Sequence, residues 1–158
     1  MSQINSKNTK PELAAALLEL TGQEEFKDIS VSSVAFRANM HRNTVYYHFN
    51  DMRDLCLWSV HHYLTGSIDT QNYQTLRDSM AVFFTKYHRL LDFTKNEIGV
   101  DSFLERMRLE LLGYIEPYTT GSSEEEKKTN TDFFIEQILV ASLLHKNPEN
   151  LIKRIFDK

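Results

Sequence analysis

The chain has 158 residues, 41% of them hydrophobic, with five glycines, three prolines and a formal net charge of −4. This length provides one substantial core or two small ones, and the scarcity of turn-forming residues favours an all-α fold over a sandwich or barrel. A negative net charge does not mark a nucleic-acid binder. The single cysteine, Cys56, excludes an intrachain disulfide and fits the reducing environment of a cytoplasmic protein. The sequence has no run of about 18 apolar residues, so no membrane-spanning helix is predicted.

The first predicted helix follows a polar arm at residues 1–9. Thr9 is a suitable N-cap, and Pro11 lies in the first turn, where its missing N–H costs little. Leucines at helical spacing define an apolar face: Leu13, Leu17 and Leu20. Gly22 fits the position just after the helix end. Lys7 of the arm and Lys10 just after it leave open either a solvated tail or contact with a phosphate backbone.

Residues 31–49 predict two short helices joined by a tight turn, which is the arrangement of a helix-turn-helix. Val34, Ala35 and Ala38 place small apolar groups on one face of the first helix, so a crossing helix can approach closely. Asn39 occupies the turn. After glycine, asparagine is the residue that best tolerates a left-handed backbone, because its short side chain can bond locally.

The second helix of the pair, predicted over residues 41–49, carries groups that suit DNA. Val45 and Phe49, at i and i+4, are predicted to face the core. The other positions contain no acid and are predicted to face outward: His41, Arg42, Asn43, Thr44, Tyr46, Tyr47 and His48. Arg forks to guanine, Asn pairs with adenine, and Thr, Tyr and His reach bases or phosphates. An ordinary amphipathic helix with a polar surface is the alternative at this point.

Serines begin the first helix of the pair: Ser30, Ser32 and Ser33. One is expected to cap the helix, and Ser30 or Ser32 can bond a phosphate, since the free N–H groups there attract anions. Residues 1–55 carry six Lys or Arg against seven Asp or Glu, which argues against DNA binding. Residues 35–50 nevertheless contain Arg37 and Arg42 and no acid, so both arginines are predicted to contact DNA.

Residues 13–55 resemble the N-terminal domain of TetR-family transcriptional regulators. The resemblance rests on an aliphatic first helix, a link that contains Phe26, the helix pair, and above all the run NTVYYHFNDMRDL at residues 43–55. It implies an all-helical homodimer that binds a double-stranded DNA operator through two such domains. It also implies a C-terminal domain of variable sequence that usually senses a small molecule.

Two positions depart from this family pattern. Asn39 stands where the family commonly has Gly, and Met52 stands where it commonly has a phosphate-binding Lys. Either the neighbouring Arg53 substitutes for that Lys or this phosphate contact is missing. With the resemblance, the sequence predicts a helix-turn-helix DNA-binding domain over residues 1–50. A helical domain for dimerisation and effector binding is predicted over residues 51–158.

Three helices are predicted at the start of the second domain. The first is capped by Asn50 or Asp51 and ends at Gly66. The second spans about residues 72–92, where apolar residues follow a period of about 3.6. The third begins at a capping box formed by Ser102 and a glutamate three positions later.

Pro117 stops the third of these helices, and residues 119–130 are predicted to be a loop whose EEEKK run is either a solvated surface or a mobile linker. Residues 132–145 predict a helix that is apolar nearly all round, and a chain this small can hardly cover it alone. Asn147 and Pro148 begin a last helix with one apolar face. Pairing of the last two helices with their copies, which the resemblance also implies, predicts a dimer interface. Its predicted residues are Phe134, Ile138, Leu139, Leu143, Ile152, Ile155 and Phe156.

Motifs for catalysis or metal binding do not occur in the sequence, which has no glycine-rich phosphate loop, HExxH, CxxC or nucleophile elbow. We therefore expect neither an enzyme nor a cofactor or metal. Aromatic residues offer candidates for an effector pocket: Trp58, Tyr63, Phe83, Tyr87 and Phe103. The alternative is that they fill the core. The stretch between Leu55 and Asp132 is short for the family, so a protein effector in place of a small molecule stays open.

The sequence thus predicts a cytoplasmic, homodimeric, all-α transcriptional regulator that reads a palindromic operator, and by its resemblance a repressor. Half-sites are expected one DNA turn apart, roughly 34–36 Å, or a multiple of it. The alternative is a helical protein-interaction module that keeps the fold without specific DNA binding. The acidic balance and Met52 favour that alternative, whereas the polar second helix of the pair argues against it.

Overall fold

The computed structural model describes residues 8–144 and 148–157. Within these ranges the chain is built from nine α-helices and contains no β-strand, which confirms the predicted all-α class. The helices are α1 Thr9–Gln23, α2 Val31–Arg37, α3 Arg42–His48, α4 Met52–Ser67, α5 Tyr73–Lys86, α6 His88–Ile98, α7 Val100–Ile115, α8 Glu124–Leu144 and α9 Glu149–Phe156. The arm before residue 8, His145 and the predicted cap Asn147 lie outside the described residues.

Close packing divides the chain into two compact units. The N-terminal unit extends to Tyr63 and also takes in Arg89–Ile98, so it holds α1 to α3, most of α4 and nearly all of α6. The C-terminal unit consists of Leu64–His88 and the residues from Gly99 onward. The functional boundary at residue 50 stays a prediction, because compactness does not identify the surface that binds a partner.

The core of the N-terminal unit forms from apolar faces of α1 to α4 and α6. Leu13 and Leu17 of α1 and Leu55 of α4 are fully buried. Phe93 of α6 is also fully buried and meets Phe26 edge to face, with the ring centroids 5.3 Å apart. Burial of each such side chain is worth about 1.5–3 kcal/mol. Helix α6 therefore contributes directly to the unit that contains the predicted helix-turn-helix.

Helix α1 begins and ends differently from the prediction. Asn8 occupies the N-cap position, while Thr9 is buried in the first turn. Gly22 lies inside the helix, and the chain leaves it at Glu24 in an extended conformation, with φ −110° and ψ 160°. The Glu24 N–H still donates to the Leu20 carbonyl at 2.8 Å. The predicted glycine terminus is wrong because this helix ends without a left-handed residue.

The core of the C-terminal unit forms where α5 packs against α9 and α7 packs against α8. Each of the four helices supplies fully buried side chains, for example Met80 and Phe83, Leu111, Ile138 and Ile152. Helices α5 and α7 carry their buried residues three or four positions apart, as expected of amphipathic helices. Phe133 and Val140 of α8 remain exposed, so the neighbouring helices cover only part of its apolar surface.

The predicted single helix over residues 72–92 is wrong, since the chain forms two helices with a break at Tyr87. Tyr87 has φ −102° and ψ 13°, which lie outside the helical values. Helix α5 belongs to the C-terminal unit, whereas α6 packs into the N-terminal unit from Arg89 onward. No glycine or proline lies between Gly66 and Gly99 to mark the break. Tertiary packing therefore overrides a continuous helical pattern here.

The predicted capping box at Ser102 is also wrong, because α7 begins earlier. Gly99 is the N-cap residue of α7, and Ser102 lies within the helix. The backbone of Gly99 has φ 86°, a conformation that glycine adopts without strain. The end of α7 at Ile115, just before Pro117, agrees with the prediction.

The predicted loop over residues 119–130 is partly helical, since α8 begins at Glu124. The Ser123 hydroxyl accepts a hydrogen bond from the Glu126 N–H at 3.1 Å and so caps the first turn. Three glutamates lie in that turn, where the positive end of the helix dipole stabilises them. The EEEKK run therefore starts a helix. None of the helices within residues 8–144 and 148–157 is long and apolar enough to cross a membrane.

Candidate nucleic-acid interface

A tight turn centred on Asn39 joins α2 to α3. Asn39 has a left-handed backbone with φ 54°, as predicted for this position. The Met40 N–H donates to the Ala35 carbonyl at 2.9 Å, and the Asn39 N–H donates to the Phe36 carbonyl at 3.0 Å. These two bonds form a Schellman motif, which satisfies carbonyls at the end of α2. The path from α2 to α3 is therefore fixed by local hydrogen bonds without a glycine.

Helix α3 is anchored by two side chains and presents the others to the surface. Val45 and Phe49 are 1% and 2% exposed, which confirms their predicted orientation. Thr44 and His48 are half-buried. The remaining predicted contact residues are exposed: His41, Arg42, Asn43, Tyr46 and Tyr47. This surface presents hydrogen-bond donors, aromatic rings and a guanidinium, and it carries no carboxylate.

Two contacts along α3 order the exposed side chains. Arg42 Nη2 donates to the Tyr46 hydroxyl at 3.0 Å, and the guanidinium carbon lies 5.3 Å from the centroid of the Tyr46 ring. The Tyr47 and His48 rings meet edge to face at 5.0 Å. A guanidinium that is already held in one position loses less side-chain entropy when it binds a planar acceptor.

Ser30 caps α2 through a reciprocal pair of bonds. Its hydroxyl accepts from the Ser33 N–H at 3.2 Å, and the Ser33 hydroxyl accepts from the Ser30 N–H at 2.7 Å. Ser32 is exposed beside this cap. Phe36, four residues after Ser32, is 86% exposed, and the sequence reasoning missed it. In a helix, Phe36 lies on the same face as Ser32, four positions earlier, and on a different face from Val34, two positions earlier. This spacing could have indicated a surface aromatic.

Arg37 turns back onto α1. Its Nη1 donates to Glu19 Oε1 at 2.6 Å and to Gln23 Oε1 at 2.8 Å, and its Nη2 lies 3.6 Å from Glu24 Oε1. These partners occupy the guanidinium and fasten α2 to α1. The predicted DNA contact of Arg37 would have to compete with them.

The start of α4 carries the second departure from the family pattern. Asp51 accepts from the Asp54 N–H at 2.9 Å and so caps the helix, while Asp54 accepts from the Asn50 N–H at 3.0 Å and so holds the residue before the cap. Met52 is half-buried and Arg53 is exposed. Arg53 is therefore the basic group that this turn offers to a phosphate.

The predicted effector residues are divided between the two units. Trp58 and Tyr63 are half-buried in the N-terminal unit. The Trp58 ring lies 5.8 Å from Phe49 and stacks on His62 at 4.8 Å, and Lys10 Nζ lies 5.7 Å from its centroid. Lys10 thus contacts aromatic rings. The other three predicted residues are buried in the core of the C-terminal unit: Phe83, Tyr87 and Phe103.

The predicted dimer residues are mostly buried within the chain itself. Five are at most 8% exposed: Ile138, Leu139, Ile152, Ile155 and Phe156. Phe134 and Leu143 are half-buried. The large apolar side chains that α8 exposes are Phe133, Val140 and Leu144, at 63%, 46% and 73%. Helical spacing alone does not distinguish Phe133 from Phe134 as the exposed residue.

Two surface clefts flank these exposed side chains. One, of about 370 Å³, lies between α8 and α9, and the other, of about 330 Å³, lies between α7 and α8. Glu136 and Val140 border both clefts. The side of α8 that carries Phe133 and Val140 is therefore a ridge between two depressions.

The thiol of Cys56 lies in a packed core and not on a reactive surface. Cys56 is buried, and burial raises the pKa of its thiol to about 12, with a further contribution from the negative charge of Glu97. In the part of the chain that the structure describes, no group of three or more His, Cys, Asp or Glu side chains could hold a metal ion.

No family model matches the sequence, and no curated protein matches it. Solved structures do match. The dihydroxyacetone kinase operon activator DhaS is 18% identical, with a TM-score of 0.70 over 94% of this chain and 92% of that chain. The TetR-family repressor AlkX from Dietzia sp. strain DQ12-45-1b is 16% identical, with a TM-score of 0.54 over 94% and 91%.

A third similar structure is NalD from Pseudomonas aeruginosa, the secondary repressor of the MexAB-OprM multidrug efflux pump. It is 14% identical, with a TM-score of 0.51 over 98% of this chain and 95% of that chain. At these identities the likeness concerns the fold, and it extends over nearly the whole of each chain. The resemblance noted at residues 13–55 is confirmed at that level, and the chain has the all-α fold of TetR-family regulators.

Proposed function

We propose that this protein is a cytoplasmic, sequence-specific DNA-binding transcriptional regulator and not an enzyme. It acts as a homodimer on a palindromic operator, with α3 of each protomer in the major groove. The observation that carries the proposal is the exposed surface of α3, which has no acidic side chain. Two backbone hydrogen bonds fix the turn that precedes this helix. The regulator fold of the similar structures supports it.

The side chains of α3 divide into base-reading and phosphate-binding groups. Residues 41–44 begin the helix and reach deepest into a groove, so we assign Arg42 and Asn43 to base edges. Tyr46, Tyr47 and His48 lie further along and suit phosphate oxygens. At the start of α2, the exposed Ser32 and the free N–H groups of the first turn suit another phosphate.

The contribution of Arg53 and Arg37 to the interface follows from their surroundings. Arg53 is exposed at the start of α4 and supplies a phosphate contact in the proposal. Arg37 is held by Glu19 and Gln23, so we assign it to the support of α2 instead of to DNA. The proposed contact surface thus has few cations, and we expect it to depend on neutral donors as well as on charge.

The homodimer is proposed to form through α8 and α9. Phe133, Val140 and Leu144 are exposed along one side of α8, and the clefts on both sides of this ridge can receive the ridge of a second copy. Exposed apolar side chains that form a contiguous surface commonly mark an interface. A two-fold axis through this surface seats the ridge of each protomer in a cleft of the other, so both contribute the same surface, as an isologous contact requires.

Repression is the proposed sign of regulation. Occupation of an operator is enough to block transcription, whereas activation needs an additional surface for the transcription machinery. AlkX and NalD are named as repressors and DhaS as an activator, so the fold accommodates both. We propose that an effector, either a small molecule or a protein, acts through the C-terminal unit.

The proposal is tested by selecting random duplex DNA on the purified protein at moderate salt, over several rounds. We expect enrichment of a palindromic site whose half-sites are one or two helical turns apart, at roughly 34–36 Å per turn. Replacing Arg42 with Ala should weaken binding to this site by about 1–3 kcal/mol and relax the base preference at one position of each half-site.

Arg106→Ala is the matched control, because Arg106 is an exposed arginine on α7 that pairs with Glu110. It should bind the selected site as the unaltered protein does. If no site is enriched and binding only fades as salt rises, the contact is non-specific and the proposal fails. The protein would then be the helical interaction module of the alternative interpretation, and its partner would be a protein.

A further inference from the structure

The C-terminal end of α1 lacks the usual means of satisfying its last carbonyl groups. The last turn carries no basic residue, and Gly22 is inside the helix instead of after it. The chain leaves the helix at Glu24 in an extended conformation. Carbonyl groups at a helix end carry partial negative charge and need donors, which water or a side chain from elsewhere can supply.

Arg89, in the first turn of α6, supplies such donors. Its Nε donates to the Thr21 carbonyl at 2.8 Å, and its Nη2 donates to the Glu24 carbonyl at 3.2 Å. Its guanidinium carbon also lies 4.7 Å from the centroid of the Phe26 ring. One side chain thus bonds the last turn of α1, its C-cap and the link that leads to α2.

The same end of α1 is held from the other side by α2. Arg37 bonds Glu19 and Gln23, and it approaches the Glu24 side chain while Arg89 bonds the Glu24 backbone. Residues 19–24 therefore lie between two guanidinium groups, one from α2 and one from α6. Since the hydrogen-bonded turn at Asn39 fixes the path from α2 to α3, a restraint on α1 also restrains α3.

We propose that Arg89 is a positioning residue that caps α1 from α6 and thereby holds α3 in the orientation that reads DNA. Arg89 does not touch DNA in this account. It acts through the α1 terminus, the Arg37 contacts and the helix-turn-helix. A planar guanidinium with several donors suits two carbonyl groups and an aromatic face together, whereas a lysine ammonium would be a poorer substitute. The inference rests on the proposed DNA-binding function.

The first part of the test measures amide hydrogen exchange without DNA in the full-length protein. In Arg89→Ala we expect amides of residues 20–29 to exchange about tenfold faster, because hydrogen bonds to a charged donor and the dipole interaction are lost. Arg89→Lys should give an intermediate increase. Lys95→Ala, which removes a cation of the same helix paired with Asp92, should leave these amides unchanged.

The second part measures affinity for the selected site over a range of salt concentrations. Arg89→Ala should weaken binding about tenfold, yet keep the salt dependence of the unaltered protein, because no phosphate contact is removed. A reduced salt dependence would mean that Arg89 touches phosphate, and this would overturn the positioning role. Unchanged affinity despite faster exchange would overturn it as well, and so would unchanged exchange.

The two proposals fail in different ways. If the unaltered protein selects no DNA site, the proposed function fails and the role of Arg89 in orienting α3 for DNA fails with it, while the exchange data still report whether Arg89 caps α1. If Arg89→Ala does not fold, Arg89→Lys decides the matter through the same two measurements. A Lys variant equal to the unaltered protein in both would overturn the need for a guanidinium.

Discussion

Helices α3 and α8 expose different kinds of side chain, polar aromatic on α3 and purely apolar on α8. On α3, Val45 and Phe49 are buried, and the exposed rings are those of Tyr46 and Tyr47, which carry hydroxyl groups. In α8, fully buried Ile138 lies two residues from half-exposed Val140, and Phe133 is exposed without any polar atom in its side chain.

The difference indicates which kind of partner each helix can accept. The surface of α3 is stable in water by itself and offers directional donors, which suits a polar partner with a fixed pattern of acceptors. The exposed stripe of α8 gains free energy only when another apolar surface covers it. The chain thus carries a polar candidate interface on α3 and an apolar one on α8. Substitutions on each helix should therefore test DNA binding and association independently.

The largest effect is expected from the buried side of α8. Ile138→Ala removes buried methyl groups and leaves a cavity, so the free energy of unfolding should fall by about 2–5 kcal/mol. Val140→Ala, one half-turn away and 46% exposed, should change the unfolding of the monomer by about 0.5 kcal/mol or less. Urea unfolding at low protein concentration measures both. Equal effects would contradict the assignment of a buried and an exposed side to α8.

The exposed side of α8 should control assembly and not folding. Val140→Glu places a charge in the centre of the proposed dimer surface and should weaken association by about 2 kcal/mol or more, as at a central interface position. Sedimentation equilibrium measures the dissociation constant, and circular dichroism checks the helix content, which should be preserved. Val82→Glu on α5, at 50% exposure, is the matched control. A dimer that tolerates Val140→Glu would place the interface elsewhere.

The turn before α3 tests how firmly the reading helix is held. Asn39→Val puts a β-branched residue at φ 54° and should lower the free energy of unfolding by about 1–2 kcal/mol. Asn39→Gly removes the steric cost and should be tolerated, with a change of about 1 kcal/mol or less. Chemical denaturation of both variants decides this. If valine and glycine behave alike, the left-handed turn does not exist.

The smallest effect at neutral pH is expected at Cys56. Burial raises the pKa of this thiol from its ordinary value of 9.0 to about 12, so the folded protein should resist thiol reagents that label the unfolded chain. Because the folded pKa is raised, its stabilising contribution is complete below about pH 9 and is lost as pH rises toward 12. The unfolding free energy should therefore decline more between these values than in Cys56→Ala. Parallel pH curves would contradict the burial.

Local chemistry explains what could be predicted from the sequence. Helix α2, the turn and α3 could be predicted because their signals are local and lie within about 20 residues. These signals are the apolar residues Val34, Val45 and Phe49 and the turn residue Asn39. The surface groups of α3 follow from the same period. No long-range contact is needed to predict which of them are exposed, so the orientation of α3 could be predicted together with the fold class, whereas contact of its residues with DNA stays a prediction.

The features that escaped prediction depend on contacts between distant parts of the chain. The pattern around Arg37 does not reveal that it pairs with Glu19, because 18 residues separate the two. The break at Tyr87 arises because α5 and α6 pack into separate units. From residue 133 onward, apolar residues lie on every side of α8, so the pattern does not reveal that Ile138 faces the interior and Phe133 the surface.

The central claim is that α3 reads base edges, and base preference at each operator position tests it most directly. Selected sites should be sequenced for the unaltered protein, for Arg42→Ala and for Asn43→Ala. We predict that Arg42→Ala loses a guanine preference and Asn43→Ala an adenine preference, each at symmetric positions of the two half-sites. Identical base preferences in all three proteins would contradict the claim and remove α3 from the reading surface.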